Sequence, residues 1–435
     1  MFNYYLKLGW LSIRANPLLS ALMVLAIAIG IGASMTIITV NYAMSGNPIP
    51  HKSDQLFYVQ LDSWDPNDTD EDSEPPDQVT YTDAMNLIRA DKAHRQVASN
   101  RSGLVLEPEN PDERPFTVDT RNTFADFFAM FDTPFQYGGG WDSSADEGLE
   151  RVTVLSRELN ERVFGGEDSV GRSVRLNGMD FRVVGVMDEW LPMPKFYDVT
   201  NGAFDPTEEL YIPFNVAIEY ELPRNGNTNC WKRPDDGFEG FLNSECVWIQ
   251  FWAELRDDNE KREYMEFLNA YTDSQKELGR FGRPRDNRLS DVMEWMEAEQ
   301  VVEDDARVML GLSLLFLAVC LLNTIGLLLA KFMRKAGVTS VRRALGASRR
   351  DVFVQHMIES GLIGLAGGVV GLGLTWLGLQ GIHALFGDYV EHLVQLDLAM
   401  VAAAIALAIV SALLAGLYPT WQSCRVMPAS QLKTQ

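Results

Sequence analysis

Four stretches of the chain contain no Asp, Glu, Lys or Arg: Leu18 to Ala43, Met309 to Ala330, Ser360 to Gly387 and Leu398 to Cys424. Each exceeds the roughly 20 residues that cross a hydrocarbon core of about 30 Å as a helix, so the pattern predicts four membrane spans. The first stretch is too long for a signal peptide and the segment after it offers no convincing small-x-small cleavage site, so it is read as a retained span. Elsewhere the apolar positions follow shorter periods. Gln55–Leu61, Phe116–Val118, Arg151–Leu155, Phe181–Val186, Leu210–Ile212 and Cys246–Ala253 alternate as strands, whereas Tyr81–Lys92 and Asn259–Leu278 carry helical spacing. Leu289–Arg307 reads as a helix running into the second span, with no Gly or Pro between.

The expected fold is a membrane protein of four transmembrane α-helices with a large α+β extracytoplasmic domain inserted between helices 1 and 2. An N-terminal cytoplasmic segment (1–17) precedes span 1 (18–44), and the inserted domain covers 45–307. Within it, an α+β lobe (45–105 with 245–288) surrounds a β-rich lobe (106–244), and a stalk helix (289–307) leads out. Span 2 (308–330), a cytoplasmic loop (331–356), span 3 (357–387), span 4 (397–420) and a tail (421–435) complete the layout.

Charge fixes the orientation. Lys7 and Arg14 precede span 1, seven basic residues (Lys331, Arg334, Lys335, Arg342, Arg343, Arg349, Arg350) lie between spans 2 and 3, and Arg425 and Lys433 follow span 4. By the positive-inside rule these segments are cytoplasmic. Residues 45–307 hold 55 of the 60 acidic and 26 of the 37 basic residues, a balance of −29 that places the negative charge outside and excludes nucleic acid as a partner.

Candidate chemistry is sparse. "GGEDSVGRS" from Gly165 approaches the phosphate-binding G-x-x-x-x-G-K-[ST], but a short helix precedes it and a strand follows, the reverse of what a P-loop requires, and Glu167 and Asp168 would repel a phosphate. The acidic run Asp65, Asn67, Asp68, Asp70 and Asp72 lacks the Gly and Glu that shape an EF-hand loop and is read as solvated. No H-E-x-x-H and no G-x-S-x-G occurs, so neither a metal site nor a catalytic site is expected. Cys230 and Cys246 are the only cysteines in the outer segment. An oxidising compartment permits a bridge closing a loop of about 15 residues, roughly 3 kcal/mol in the chain-entropy account, with two buried thiols as the alternative.

The most informative stretch is "RKAGVTSVRRALGASRRDVFVQHMIESGLIGLAGGVVG", Arg334 to Gly371. Val338–Asp351 has helical character, with Val341, Ala344 and Leu345 forming an apolar strip flanked by arginines. Either it lies on anionic lipid or it is a lever for a cytoplasmic motor. Gly364/Gly368 and Gly367/Gly371 form two G-x-x-x-G faces, and Asn323 is an amide within span 2; all five are candidates for helix packing.

In Val341-Arg342-Arg343-Ala344-Leu345-Gly346-Ala347-Ser348 the loop resembles the FtsX/MacB permease superfamily, whose loop reads E-I-G-x-x-R-A-L-G-A-S. "IRANP", "LLNTIGLLLA", "IESGLIGLAGG" and "GLYPTWQSCRVMPASQLK" extend the likeness, and "VTVLSRELNERVFGGEDSVGRSVRLNGMDFRVVGVM" is similar to the MacB periplasmic core domain. Val338-Thr339-Ser340 stands where the family has E-I-G.

The resemblance implies a non-catalytic permease subunit of a mechanotransmission ABC transporter in the bacterial inner membrane. It would bind no cofactor itself, ATP and Mg being bound by a separate cytoplasmic ATPase. The other implied partners are a second permease, identical or not, a periplasmic adaptor and an outer-membrane duct. Residues Val341 to Ser348 would couple to the ATPase. The family offers two alternatives, a lipoprotein-releasing permease and an FtsX-like regulator of a cell-wall hydrolase.

Overall fold

The computed structural model describes residues 2–67, 74–108, 114–302, 304–386 and 398–425. The chain divides into two compact units, Met1–Ser45 with Val302–Gln435, and Gly46–Val301.

The first unit is helical. An N-terminal helix (Phe2–Ala15) is followed by Pro17–Met44, whose proline occupies the first helical turn, where a missing N–H costs nothing. Asp304–Arg334, the short Ala336–Ala344, Arg349–Phe386 and Leu398–Arg425 follow. Four segments are long and apolar enough to cross a membrane: Pro17–Met44, Val308–Arg334, Arg349–Ile382 and Met400–Arg425. These are spans 1 to 4.

Glycine lets the helix backbones approach closely. A Cβ on Gly364 would lie 2.5 Å from that of Ala412, and one on Gly368 2.9 Å from that of Ala408, both on span 4. Gly367 and Gly371 face Ile27 and Ile31 of span 1. Both G-x-x-x-G faces of span 3 are therefore occupied within the chain. Asn323 does not pack within the chain: its side chain is exposed on span 2, because the helix turns Leu317, Thr324 and Leu328 to the bundle.

The second unit is built on strands β1 (Leu56–Gln60), β2 (Val79–Thr80), β3 (Arg95–Glu107), β4 (Phe116–Thr123), β5 (Phe135–Gly138) and β6 (Val152–Leu155). Strands β7 (Ser173–Leu176), β8 (Met179–Met187), β9 (Leu210–Pro213), β10 (Asn229–Cys230), β11 (Cys246–Glu254) and β12 (Arg288–Asp291) complete it. One part orders β12-β1-β11-β3, with Phe57 opposite Asp291. Helices Tyr81–Ala90 and Asp258–Glu277 supply Leu87, Tyr264 and Leu268 to its core.

In the other part β3 pairs with β4, β4 with β9, β9 with β6, β6 with β8, β8 with β7, and β7 with β3 again. This ring leaves its strands no long free edge, and it is filled by residues such as Leu104, Phe181, Val183 and Ile212. The lobe boundary expected at 105/106 falls inside β3, whose Arg95–Glu107 run serves both parts because its first half pairs with β11 and its second with β4. Residues near 230 also belong with the first part: β10 pairs with β11, and Cys230 is disulfide-bonded to Cys246.

The near-P-loop is a turn. Ser156 caps Arg157–Phe164, Gly165 ends that helix at φ 69°, and β7 follows. The expected 289–307 stalk helix is not formed. Leu289 pairs with Val59 in the sheet, Asp291 and Glu294 form a capping box that starts a separate helix, Val292–Ala298, and Gln300 at φ 49° breaks the chain before the second span. Asp68, Asp70, Asp72 and the third-to-fourth loop lie outside the described residues; among the described residues no cluster of metal-ligating side chains occurs.

Where that broken segment ends, burial and the neighbouring Asp77 push Glu299 up to about 8, and burial likewise raises Asp77. Burial also pushes Asp146, which accepts from the Trp141 indole at 2.9 Å, up to about 7. A carboxyl raised by folding holds its proton more tightly in the folded chain, so its contribution is complete below its ordinary value and is lost as pH rises through the folded one. The thermal midpoint of this unit in the full-length chain should therefore fall between about pH 5 and 8. Glu299→Gln should flatten that slope, and an unchanged slope in the variant would exclude the carboxyl pair as its source.

Candidate coupling site at the cytoplasmic end of the spans

The segment between spans 2 and 3 is shaped by two local signals. Ala336–Ala344 ends at Leu345, and Gly346 adopts φ 109°, a left-handed conformation that side chains strain to reach. Ser348 then accepts from the Asp351 N–H at 3.2 Å, and the Asp351 carboxylate accepts from the Ser348 N–H at 3.0 Å, a capping box that starts span 3 at Arg349. The single helix expected over Val338–Asp351 is therefore two, and span 3 begins earlier than the expected 357.

The short helix seats its small residues, with Ala336 and Ser340 buried. Its larger apolar side chains project outward: Val338, Val341 and Leu345 are 67%, 48% and 84% exposed. Their spacing of three and four places them on one stripe. Ala344, Gly346 and Ser348 are exposed and Ala347 half-buried. The two motif arginines do not flank this strip but turn back: Arg342 donates to the Gln355 side chain and Arg343 to the Cys424 carbonyl at 3.5 Å.

Behind the stripe is a buried ionic cluster. Glu359 accepts from Lys331 at 2.7 Å, both side chains being essentially inaccessible. Ser12 of the N-terminal helix also donates to Glu359, Lys335 donates to Ser12, and Lys331 donates to Ser20 of span 1 at 3.0 Å. His356 lies one turn before Glu359, with its ring 4.0 Å from that of Phe332. Tyr5 adds a bond to Asp351 at 3.0 Å. One carboxylate thus ties together the N-terminal helix and the cytoplasmic ends of spans 1, 2 and 3.

Lys331 and Glu359 form a buried charge pair at the cytoplasmic ends of spans 2 and 3. They are 28 positions apart, beyond any local spacing rule; the available signal was Glu359 as the lone acid at the margin of an apolar window.

The family model for the MacB-like periplasmic core domain matches residues 20–261, and that for the FtsX-like permease C-terminal matches 310–428. The pyoverdine export ATP-binding/permease protein PvdT of Pseudomonas fluorescens is 21% identical over 99% of this chain, which spans 59% of that relative's length. The uncharacterized ABC transporter permease YknZ of Bacillus subtilis is 21% identical over 88% of this chain and 87% of its own. Among solved structures, the periplasmic region of MacB from Actinobacillus actinomycetemcomitans aligns with 57% of this chain and 94% of its own length at 14% identity, with a TM-score of 0.37. The chain belongs to the MacB-like family, as an ABC transporter permease of the inner membrane whose periplasmic core domain is inserted ahead of an FtsX-like permease domain.

Proposed function

We propose that this chain is the transmission subunit of an exporter. A cytoplasmic ATPase partner, which binds the ATP and Mg, pushes the Ala336–Ala344 helix, and the motion passes through the ionic cluster to spans 1 and 2, which flank the periplasmic unit in sequence. The rearranged periplasmic unit then expels cargo, in concert with a second permease, a periplasmic adaptor and an outer-membrane duct. The chain itself catalyses nothing and binds no cofactor. The roles for which relatives are named, pyoverdine export and macrolide export, support outward transport of a small secreted molecule.

The observation that carries the reading is the exposed Val338, Val341 and Leu345 stripe on a helix held to three others, by Lys335 to Ser12, Arg342 to Gln355 and Arg343 to the Cys424 carbonyl. Leu345→Asp and Gly346→Trp should leave membrane insertion intact and reduce recovery of the ATPase with the chain at least about tenfold, since a charge in an apolar contact or a lost left-handed turn removes the docking surface. Undiminished recovery with both variants would exclude this helix as the handle.

A further inference from the structure

A groove lies between the N-terminal helix, span 3 and span 4. Its volume is about 340 Å³, and only apolar residues line it, among them Leu6, Phe353, Leu365, Ile409 and Leu413. Gly361 keeps its middle open, since a Cβ there would meet nothing within 4 Å but the Leu413 side chain, at 3.6 Å. Phe353 is near the cytoplasmic end of span 3 and Leu365 near its midpoint. That stretch of helix runs about 18 Å, close to the roughly 15 Å depth of one leaflet. Cations stand at the cytoplasmic mouth. Arg350 precedes Phe353 and Val354 by one turn on the same face of span 3, and Lys7 adjoins Leu6; both are exposed. Tyr4 and Trp10, 55% and 54% exposed, flank Lys7 at a spacing of three, and Arg14 stacks on Trp10. Asp351, the acid beside Arg350, is already engaged by the Tyr5 and Ser348 hydroxyls at 3.0 and 2.6 Å.

We propose that this groove seats one acyl chain of an anionic phospholipid from the cytoplasmic leaflet. The length of the groove suits a chain that ends at the bilayer midplane, and Lys7 and Arg350 meet the phosphate at its mouth. A zwitterionic lipid would fill the apolar part equally well but leave those two cations without a counter-charge. Tyr4 and Trp10 fix the N-terminal helix at headgroup level, where amphipathic rings settle. The seated chain braces that helix, whose Tyr5 and Ser12 bond to Asp351 and Glu359 of span 3.

The test uses the full-length chain without ATP or any partner, so its outcome is separate from that of the ATPase coupling. The chain is placed in phosphatidylcholine vesicles carrying a trace of phosphatidylglycerol or phosphatidylcholine with a photoactivatable diazirine midway along one acyl chain. Peptide mass spectrometry then locates the label. The phosphatidylglycerol probe should mark Met357, Ile358 and Leu413 at least about fivefold more than the phosphatidylcholine probe. Val410 and Leu414, exposed on span 4 but outside the groove, should take up both probes weakly and equally. Gly361→Phe should fill the groove and reduce labelling there by both probes. Lys7→Gln with Arg350→Gln leaves the apolar lining intact and should abolish the preference for phosphatidylglycerol, a readout that stands even where Gly361→Phe fails to insert. Equal labelling of the groove by the two probes, labelling of Val410 and Leu414 as strong as that of Leu413, or a preference unchanged in the double variant would each overturn the proposal.

Discussion

Arg121→Leu should destabilise the periplasmic unit by about 3–5 kcal/mol, the cost of leaving a buried charge without its partner. Arg121 is inaccessible on β4, and its guanidinium donates to both Asp198 and Glu208. Lys195 stands 3.5 Å from Glu208, and Arg101, which also pairs with Asp205, stands 3.9 Å from it. The remaining oxygens are also held: Tyr197 donates to Glu208 at 2.9 Å, and Gln250 and Asn201 donate to Asp198 at 2.8 and 2.6 Å. Burial alone would raise Glu208, but Arg121 and Lys195 overcome it and hold the carboxyl below its ordinary range. Its contribution is therefore present at neutral pH and lost only as pH falls through the lowered folded value.

Removing Arg121 leaves two buried anions that face only Lys195 and the more distant, partly engaged Arg101. The cluster also joins the two parts of the unit, since Gln250 is on β11 and the Trp252 indole, on the same strand, donates to the Tyr197 carbonyl at 3.2 Å. Chemical denaturation of the full-length chain, followed by tryptophan fluorescence, measures the loss. Adding Glu208→Gln removes one of the two buried anions and should recover part of it. A loss below about 1 kcal/mol for Arg121→Leu would show that the cluster is solvated rather than sealed.

The second large effect is on coupling. Glu359→Gln leaves Lys331 buried without its counter-ion and should both destabilise the membrane unit and abolish export. The paired variant Lys331→Met with Glu359→Leu separates these outcomes, because replacing a buried ion pair with apolar groups of similar volume often costs little stability. That variant should insert and hydrolyse ATP with its partner while export per ATP falls at least about tenfold, since the N-terminal helix and spans 1 to 3 no longer share one anchor. Export at the parental ratio would mean that the cluster holds the bundle together without relaying motion.

The spans and the branched strands could be read directly because their signals are local: Pro17–Met44 brackets an uncharged window, and β8 is a run of alternating apolar residues. β3 escaped notice because its buried positions include Gln96, Ser99, Asn100 and Ser102, polar side chains that a hydropathy pattern assigns to the surface. The stalk was misread because its helical spacing is real over Val292–Ala298, yet pairing of Leu289 with Val59 overrides it upstream. Gly346 carried a legible stop signal, but the arginines on either side made one continuous basic helix the simpler reading. Asn323 could not be oriented from sequence at all, since span 2 is apolar all round and only packing shows which face is covered.

Phe57 and Asp291 face each other across β1 and β12, so the first and last strands of the periplasmic unit are neighbours, about 5 Å apart. Such an insertion is a cassette. Another module whose first and last strands are paired in the same way would present its ends side by side as this one does, which makes the outer domain a candidate for exchange.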